Sequence, residues 1–351
     1  MSNLLVIVQK VDENDDHRGS LIGWLKEFAK RFDKISVITL SEGSHTLAKN
    51  IKIYSLGKDR GAPKLLQAIR FYWYLIRLLP RSKGVFAHAS AIFVLASWPM
   101  TWLFHKRIVL WYLHRSVDWR LRLAEKMAFK IATANRESLG IKSDKVIEVG
   151  HGIDLDFFKT DRNWSRSLVE IISVGRISPI KGLETLIQAI KLVSESNGDI
   201  NTRIIGQPVM PGDYLYLSKL KKLTLDLEID KFVKFNGASL YKDMPGIYRD
   251  ADISVNLAPR GGIDKTVLES MASGLLVLTS NEVFAKYFGE YSGKLIFRQD
   301  DPIDLAKKIE HLISLSLEDK QKISRFLVGS VREHHLLQDT IGRLSDLIKL
   351  K

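Results

Sequence analysis

The chain has 351 residues, of which 45% are hydrophobic and 26% charged, enough apolar material for the cores of two domains, and its formal net charge is +13. It contains no cysteine, which excludes disulfides, thiolate metal centres and a cysteine nucleophile and fits a reducing compartment. The charge is one-sided: residues 1–150 hold 25 Lys and Arg against 13 Asp and Glu, whereas residues 151–351 hold 28 against 27. Within residues 57–130 the imbalance is 14 basic against 3 acidic, interleaved with Trp73, Trp98, Trp102, Trp111 and Trp119. A basic surface studded with aromatics points to an anionic partner, either nucleic acid or an anionic membrane face.

The apolar run Leu4–Val8 is too short for a signal peptide and lacks its basic front, so it reads as a first buried strand. A polar loop from Asp12 to Ser20, with Gly19 near its end, leads to a helix over Leu21–Phe32 and a strand over Ile35–Leu40. That alternation predicts a parallel sheet of Rossmann type. Ile51–Leu56 is a further strand. A helix then runs from Pro63 to Leu79 and stops at Pro80. Lys64, Gln67, Arg70, Tyr74 and Arg77 recur on it at three- or four-residue spacing, and nearly everything else is apolar. Two readings stand: a helix lying in a bilayer interface, or a core helix whose one wet stripe carries arginines.

Gly84–Phe104 has no charged residue over 21 positions, but His88, Ser90, Ser97, Pro99 and Thr101 interrupt it. It divides into a strand, Val85–His88, and a buried helix, Ala91–Phe104, in preference to a membrane span. Strand Arg107–Leu113 follows. His114 stands just past its carboxyl end, and His88 stands similarly after its own strand. Ligands of open α/β sheets sit outside the carboxyl ends of strands, so each histidine is a candidate to donate to a hydroxyl or phosphate or to move a proton, against the alternative of a structural role. A basic helix, Val117–Phe129, and strands Ile131–Ala134 and Val146–Val149 complete the first half.

Gly150–Phe158 ends the alternation, and Lys159–Ser167 is polar and irregular. The predicted division is therefore an N-terminal Rossmann-like domain over 1–155, a C-terminal one over 156–330, and a helix over 331–351 packing back toward the first. Strand Val169–Val174 runs into Gly175-Arg176 and Lys181-Gly182, then helix Leu183–Ser194. Two fixed cations flank a glycine-containing turn at a strand end and helix start, an arrangement apt for a diphosphate whose charge grows as it leaves. The pattern continues through strands Thr202–Ile205, Phe232–Phe235 and Ile253–Leu257, with helices Tyr214–Leu227 and Met244–Arg249. The stretch from Pro259 to Asn281 comes next. Gly261 and Gly262 permit close backbone approach, a helix start offers unpaired N–H groups to anions, and Glu269 lies between one and two turns further in, where its carboxylate can accept from ribose hydroxyls. A short helix Phe284–Phe288, a strand Lys294–Phe297, a helix Pro302–Leu315 and one or two final helices close the chain.

Three segments carry a family resemblance: His151-Gly-Ile-Asp154 with Phe158, Val174-Gly-Arg-Ile-Ser-Pro-Ile-Lys-Gly182, and Val267-Leu-Glu-Ser-Met-Ala-Ser-Gly274. In order and spacing they resemble the retaining GT-B glycosyltransferases of family 4 (glycosyl transferases group 1). The N-terminal half resembles that family more loosely, through fold order, Gly19 and the position of His114. The resemblance implies an α/β GT-B fold, two Rossmann-like domains with parallel sheets facing a central cleft. It implies catalytic roles for His114, Arg176 and Lys181, and a donor site of Gly19, Arg176, Lys181, Gly261, Gly262, Ile263, Asp264 and Glu269. His88, Arg70, Arg77 and Arg115 are expected to face acceptor or membrane. It further implies a nucleotide-sugar donor, a lipid-linked or glycan acceptor, an anionic membrane surface and no nucleic acid as partners, no cofactor, and no metal, since Arg, Lys and a helix dipole replace one. The expected location is cytoplasmic, at the inner face of the cell membrane. One departure stands out. The family carries a glutamate eight positions before Glu269, and here that position is Gly261. Asp264 is the candidate substitute, the alternative being a sugar held by backbone alone or an inactive sugar-nucleotide binder.

Overall fold

The computed structural model describes residues 2–16, 18–164, 167–259 and 261–350. The chain forms two compact units. The first comprises the chain up to Asp154, Leu240–Lys242 and the chain from His335 onward; the second comprises Leu155–Ser239 and Asp243–His334.

The first unit is built on seven parallel strands: β1 (Asn3–Val11), β2 (Lys34–Glu42), β3 (Ile51–Ser55), β4 (Gly84–His88), β5 (Arg107–Trp111), β6 (Lys130–Thr133) and β7 (Val146–Glu148). Their order is β3-β2-β1-β4-β5-β6-β7. A parallel sheet is covered on both faces, which is why β1 and β4 read as continuous apolar runs rather than as alternations. The connections β3→β4, β4→β5 and β5→β6 all cross the sheet in one sense. Right-handed crossovers therefore place helices Lys64–Leu78, Ala91–Leu103 and Trp119–Met127 on one face, where Phe71, Leu75, Val94 and Leu121 join the core. Helix Leu21–Ala29 crosses in the opposite sense and packs with the terminal helix Leu337–Lys349 on the other face.

The segment His151–Asp154 is fixed inside this unit. Trp24 donates its indole N–H to the Gly152 carbonyl at 3.2 Å. Gly152 has φ of 71°, and a Cβ there would sit 2.8 Å from the indole, so the glycine is required by both backbone and neighbour. The His151 N–H donates to His335 Nδ1 at 3.1 Å, and Ile153 bridges to Leu336.

The second unit has five parallel strands: β8 (Val169–Val174), β9 (Ile200–Ile205), β10 (Val233–Gly237), β11 (Ile253–Asn256) and β12 (Leu276–Thr279), in the order β10-β9-β8-β11-β12. Chain direction across each sheet reverses once, between β1 and β4 in the first unit and between β8 and β11 in the second. Such switch points open a crevice at the carboxyl edge, the usual ligand position in open α/β sheets.

The structure differs from the sequence reading in three places. Lys294–Phe297 is not a strand. Ser292–Leu295 forms one helical turn, and only Ile296 bridges, to Thr279. A four-residue apolar run carries no period to separate a strand from a buried turn. Leu155–Phe158, read only as part of the stretch that ends the alternation, is a short helix with Phe158 buried against Tyr248. Third, only the ends of the polar stripe on helix Lys64–Leu78, Lys64 and Arg77, are exposed. Gln67 donates to the Ala62 carbonyl at 2.7 Å and Arg70 to the Leu56 carbonyl at 3.0 Å, while Tyr74 packs on Tyr54. These side chains hold the helix to β3 and to the loop before it, and Leu65, Ile69, Trp73 and Ile76 are exposed.

Gly206, directly after β9, offers a sharp test of this packing. Its φ is 148° and an added Cβ would lie 1.8 Å from the Gly175 carbonyl oxygen. Gly206→Ala is expected to destabilise the protein by about 3 kcal/mol, read as a lowered denaturant midpoint with unchanged slope. Gly198→Ala, with open space at its Cβ position, is the control and should shift little.

Candidate functional site

The site in the second unit grows from the switch point. After β8 the chain passes through Gly175, Arg176 and the turn Pro179–Lys181, then enters helix Leu183–Ser196 at Gly182, whose φ is 54°. After β11 it passes through the glycine loop into helix Lys265–Ala272. One contact joins the two loops. The Lys181 ammonium lies 2.6 Å from Asp264 Oδ2.

Asp264 caps helix Lys265–Ala272. Its Oδ1 accepts from the Thr266 N–H at 3.2 Å and the Thr266 hydroxyl at 3.0 Å, and its Oδ2 accepts from Lys181 and from Asn256 Nδ2 at 3.0 Å. Burial alone would raise this carboxyl. The Lys181 charge and the hydrogen bonds from Lys181, Asn256 and Thr266 outweigh burial and bring its pKa from 3.8 down to about 2. All four acceptor positions are occupied, so Asp264 is a bracket holding the loop. It supplies no spare acceptor in place of the carboxylate absent at Gly261.

Glu269 is buried one turn into the same helix. Its Oε2 accepts from the Tyr248 hydroxyl at 3.2 Å, and its Oε1 lies 2.7 Å from the Lys265 ammonium. The Lys265 contact is an ion pair without hydrogen-bond geometry, so Oε1 keeps acceptor capacity. The glycine loop is pinned from β12: Asn281 Nδ2 donates to the Gly262 carbonyl at 2.9 Å. Ile263 is buried and anchors the loop between them.

Arg176 is exposed beyond β8. The Met210 and Val209 N–H groups, with the Arg176 charge adding to them, hold the Asp213 carboxyl below its usual range against burial. Lys181 lies over Gly175. The side chains brought together are Lys181, Asp264 and, along one helix, Glu269.

In the first unit, Gly19, His88 and His114 stand at the carboxyl edge, after β1, at the end of β4 and after β5. Gly19 is buried, and a Cβ there would meet Tyr241 Cβ at 2.6 Å and the Asp15 carbonyl at 2.8 Å. His88 packs edge-on to Trp24, whereas His114 is exposed with Tyr112 edge-on to its ring. Arg115 is exposed beside it. Arg70 and Arg77 are on helix Lys64–Leu78 and take no part in this edge, Arg70 being tied to Leu56 and Arg77 stacked on Trp73.

Sequence reasoning missed Asn256, Asn281, Lys265 and Tyr248. The two asparagines had a signal: each is a polar residue at or just past the end of an apolar strand. Tyr248 had none, because its role depends on where helix Met244–Arg249 packs.

The depressed Asp264 pKa sets a pH dependence. A carboxyl with a lowered folded pKa stabilises above its ordinary 3.8, and that stability is lost as pH falls toward 2. The stability gap between the native protein and Asp264→Asn, about 2 kcal/mol from this source at pH 5, should therefore shrink by pH 3. Denaturant midpoints at the two pH values measure it, and a pH-independent gap contradicts the assignment.

Comparison with known proteins follows the same lines. The sequence model of the family described as Glycosyl transferases group 1 matches residues 157–326. The human GDP-Man:Man(3)GlcNAc(2)-PP-Dol alpha-1,2-mannosyltransferase is 24% identical over 191 residues, 51% of this chain and 38% of that protein. Spore coat protein SA of Bacillus subtilis is 29% identical over 163 residues, 44% of this chain and 42% of its own length. The chain thus spans less than half of these curated relatives. Among solved structures, Anabaena Alr3699/HepE in complex with UDP and glucose superimposes with a TM-score of 0.77 at 14% identity over all of both chains. The sucrose-phosphate synthase of Thermosynechococcus elongatus gives 0.76 at 13% identity, covering 99% of this chain and 98% of that one. The chain has the GT-B fold, and its residues 157–326 are similar to the glycosyl transferases group 1 family.

Proposed function

We propose that this chain is a retaining glycosyltransferase that moves a hexose from a nucleoside-diphosphate sugar to a lipid-linked or glycan acceptor. Its place is the synthesis of cell-surface polysaccharide or glycoconjugate, at the cytoplasmic face of the membrane. The observation that carries the reading is the Lys181–Asp264 contact across the β8/β11 switch point, with Glu269 in the helix that Asp264 caps. A diphosphate set there meets Lys181, the exposed Arg176 and the N-terminal N–H groups of helix Lys265–Ala272, so cations and helix dipole neutralise the leaving group without a metal. Glu269 Oε1 has acceptor capacity for a ribose hydroxyl. The UDP complex of a structure with the same fold supports a nucleoside diphosphate, as does the human relative named for GDP-Man.

In the mechanism, the acceptor hydroxyl attacks the anomeric carbon from the face that the nucleotide leaves. The bond to the diphosphate breaks, and a leaving phosphate oxygen takes the hydroxyl proton. Arg176 and Lys181 stabilise the charge that accumulates on that oxygen. With Gly261 in place of a carboxylate and Asp264 saturated, the sugar is held chiefly by the backbone of the Gly261–Ile263 loop. The same departure favours a second reading, a sugar-nucleotide binder without turnover.

Calorimetric titration with UDP-, GDP- and ADP-sugars tests both. Native protein should bind one class of donor, and Lys181→Ala or Glu269→Ala should weaken it ~30-fold, about 2 kcal/mol for a charge-assisted contact. Slow donor hydrolysis that disappears in the same variants supports the enzyme. Binding with no turnover on any acceptor supports the second reading, and no binding of any donor contradicts both.

A further inference from the structure

We infer that the first unit docks on an anionic bilayer through the outward face of helix Lys64–Leu78 and the adjoining end of helix Ala91–Leu103, holding by apolar insertion. The inference deepens the proposed function and rests on it for its purpose, since a lipid-linked acceptor is presented at such a surface.

The outward face is unusual. Leu65, Ile69, Trp73 and Ile76 are 73%, 57%, 51% and 53% exposed. They fall at i, i+4, i+8 and i+11, one side of a helix. The opposite side already buries Phe71 and Leu75 in the core. A helix with apolar residues on its water side as well as its core side leaves a face that wants cover. Helix Ala91–Leu103 packs directly beside it and ends in Trp102 and Leu103, 66% and 56% exposed.

Charge decides what covers the face. No Asp or Glu occurs between Asp59 and Asp118. Exposed Lys64, Arg77, Arg81 and Lys83 belong to the same helix or the turn after it. A second copy would bring the same cations to its partner and be repelled, whereas anionic headgroups complement them. Arg77 lies over the Trp73 ring, 4.4 Å from its centroid. This pairing of indole and guanidinium suits the headgroup boundary, where an aromatic body sits below and a charge above. Among the described residues no helix is long and apolar enough to cross a membrane, so the contact is with one leaflet.

The test is co-sedimentation of the full chain with vesicles of phosphatidylcholine alone or with 30% phosphatidylglycerol. The native protein should bind the anionic vesicles at least tenfold more tightly. The triple variant Leu65→Gln, Ile69→Gln, Ile76→Gln, whose side chains are outside the core, should lose at least tenfold in vesicle affinity while binding nucleotide as before. Arg77→Glu with Arg81→Glu should lose the preference for anionic lipid. Vesicle binding is read without donor and nucleotide binding without vesicles, so failure here is distinguishable from failure of the transferase reading. Undiminished vesicle binding by the triple variant overturns the inference. So does a concentration-dependent dimer that the variant abolishes, or capture of an acidic protein in place of lipid.

Discussion

The second unit depends on an ion pair that crosses its sheet. Lys181 and Asp264 are 83 residues apart in sequence and come from loops after strands β8 and β11, which run side by side at the point where the chain reverses direction. At 2.6 Å, with side chains 25% and 18% exposed, the pair is sheltered enough to hold loop against loop. It fixes the N-terminus of helix Lys265–Ala272, and through that helix the position of Glu269. Asp264 is therefore consumed in building the site. A diphosphate arriving there competes with Asp264 for Lys181, so part of its binding energy goes into loosening the pair, while the positive helix end and Arg176 remain available.

The two units share this logic but differ in what lies at their carboxyl edges. The second presents cations, helix starts and a buried carboxylate. The first presents a close-packed glycine at position 19, a histidine in an aromatic nest at position 88, and an exposed histidine at position 114. The first unit's charge and exposed apolar surface are on helices at a sheet face instead. The proposed recognition of a small anion and the proposed attachment to a larger surface thus fall on different parts of the fold.

Much of this was legible in the sequence because parallel sheets announce themselves. Val169–Val174 and Met244–Arg249 have the predicted bounds, and the strands of both sheets are within a few residues of theirs. Lys181, Glu269 and the glycine loop stood out in the sequence as candidates, because glycine, cation and helix start in close succession are what a phosphate-binding turn would need. What spacing does not carry is partnership. Asp264 looked like a free carboxylate because Asn256 and Lys181 are distant in sequence. Arg70 looked like a wet cation because its acceptor, the Leu56 carbonyl, lies beyond a turn. The stripe on Lys64–Leu78 was read either as lying in a bilayer interface or as the wet stripe of a core helix; backbone carbonyls take Gln67 and Arg70, and leucine, isoleucine and tryptophan are outside.

The central claim is that the loop after β8 and the start of helix Lys265–Ala272 hold a nucleoside diphosphate. A crystal structure of the chain with a bound nucleoside-diphosphate sugar tests it most directly. The account predicts phosphate oxygens within hydrogen-bond distance of Lys181 and the first N–H groups of that helix, with the ribose on Glu269. A nucleotide bound elsewhere, with Lys181 still committed to Asp264 and Glu269 only to Tyr248 and Lys265, would contradict it.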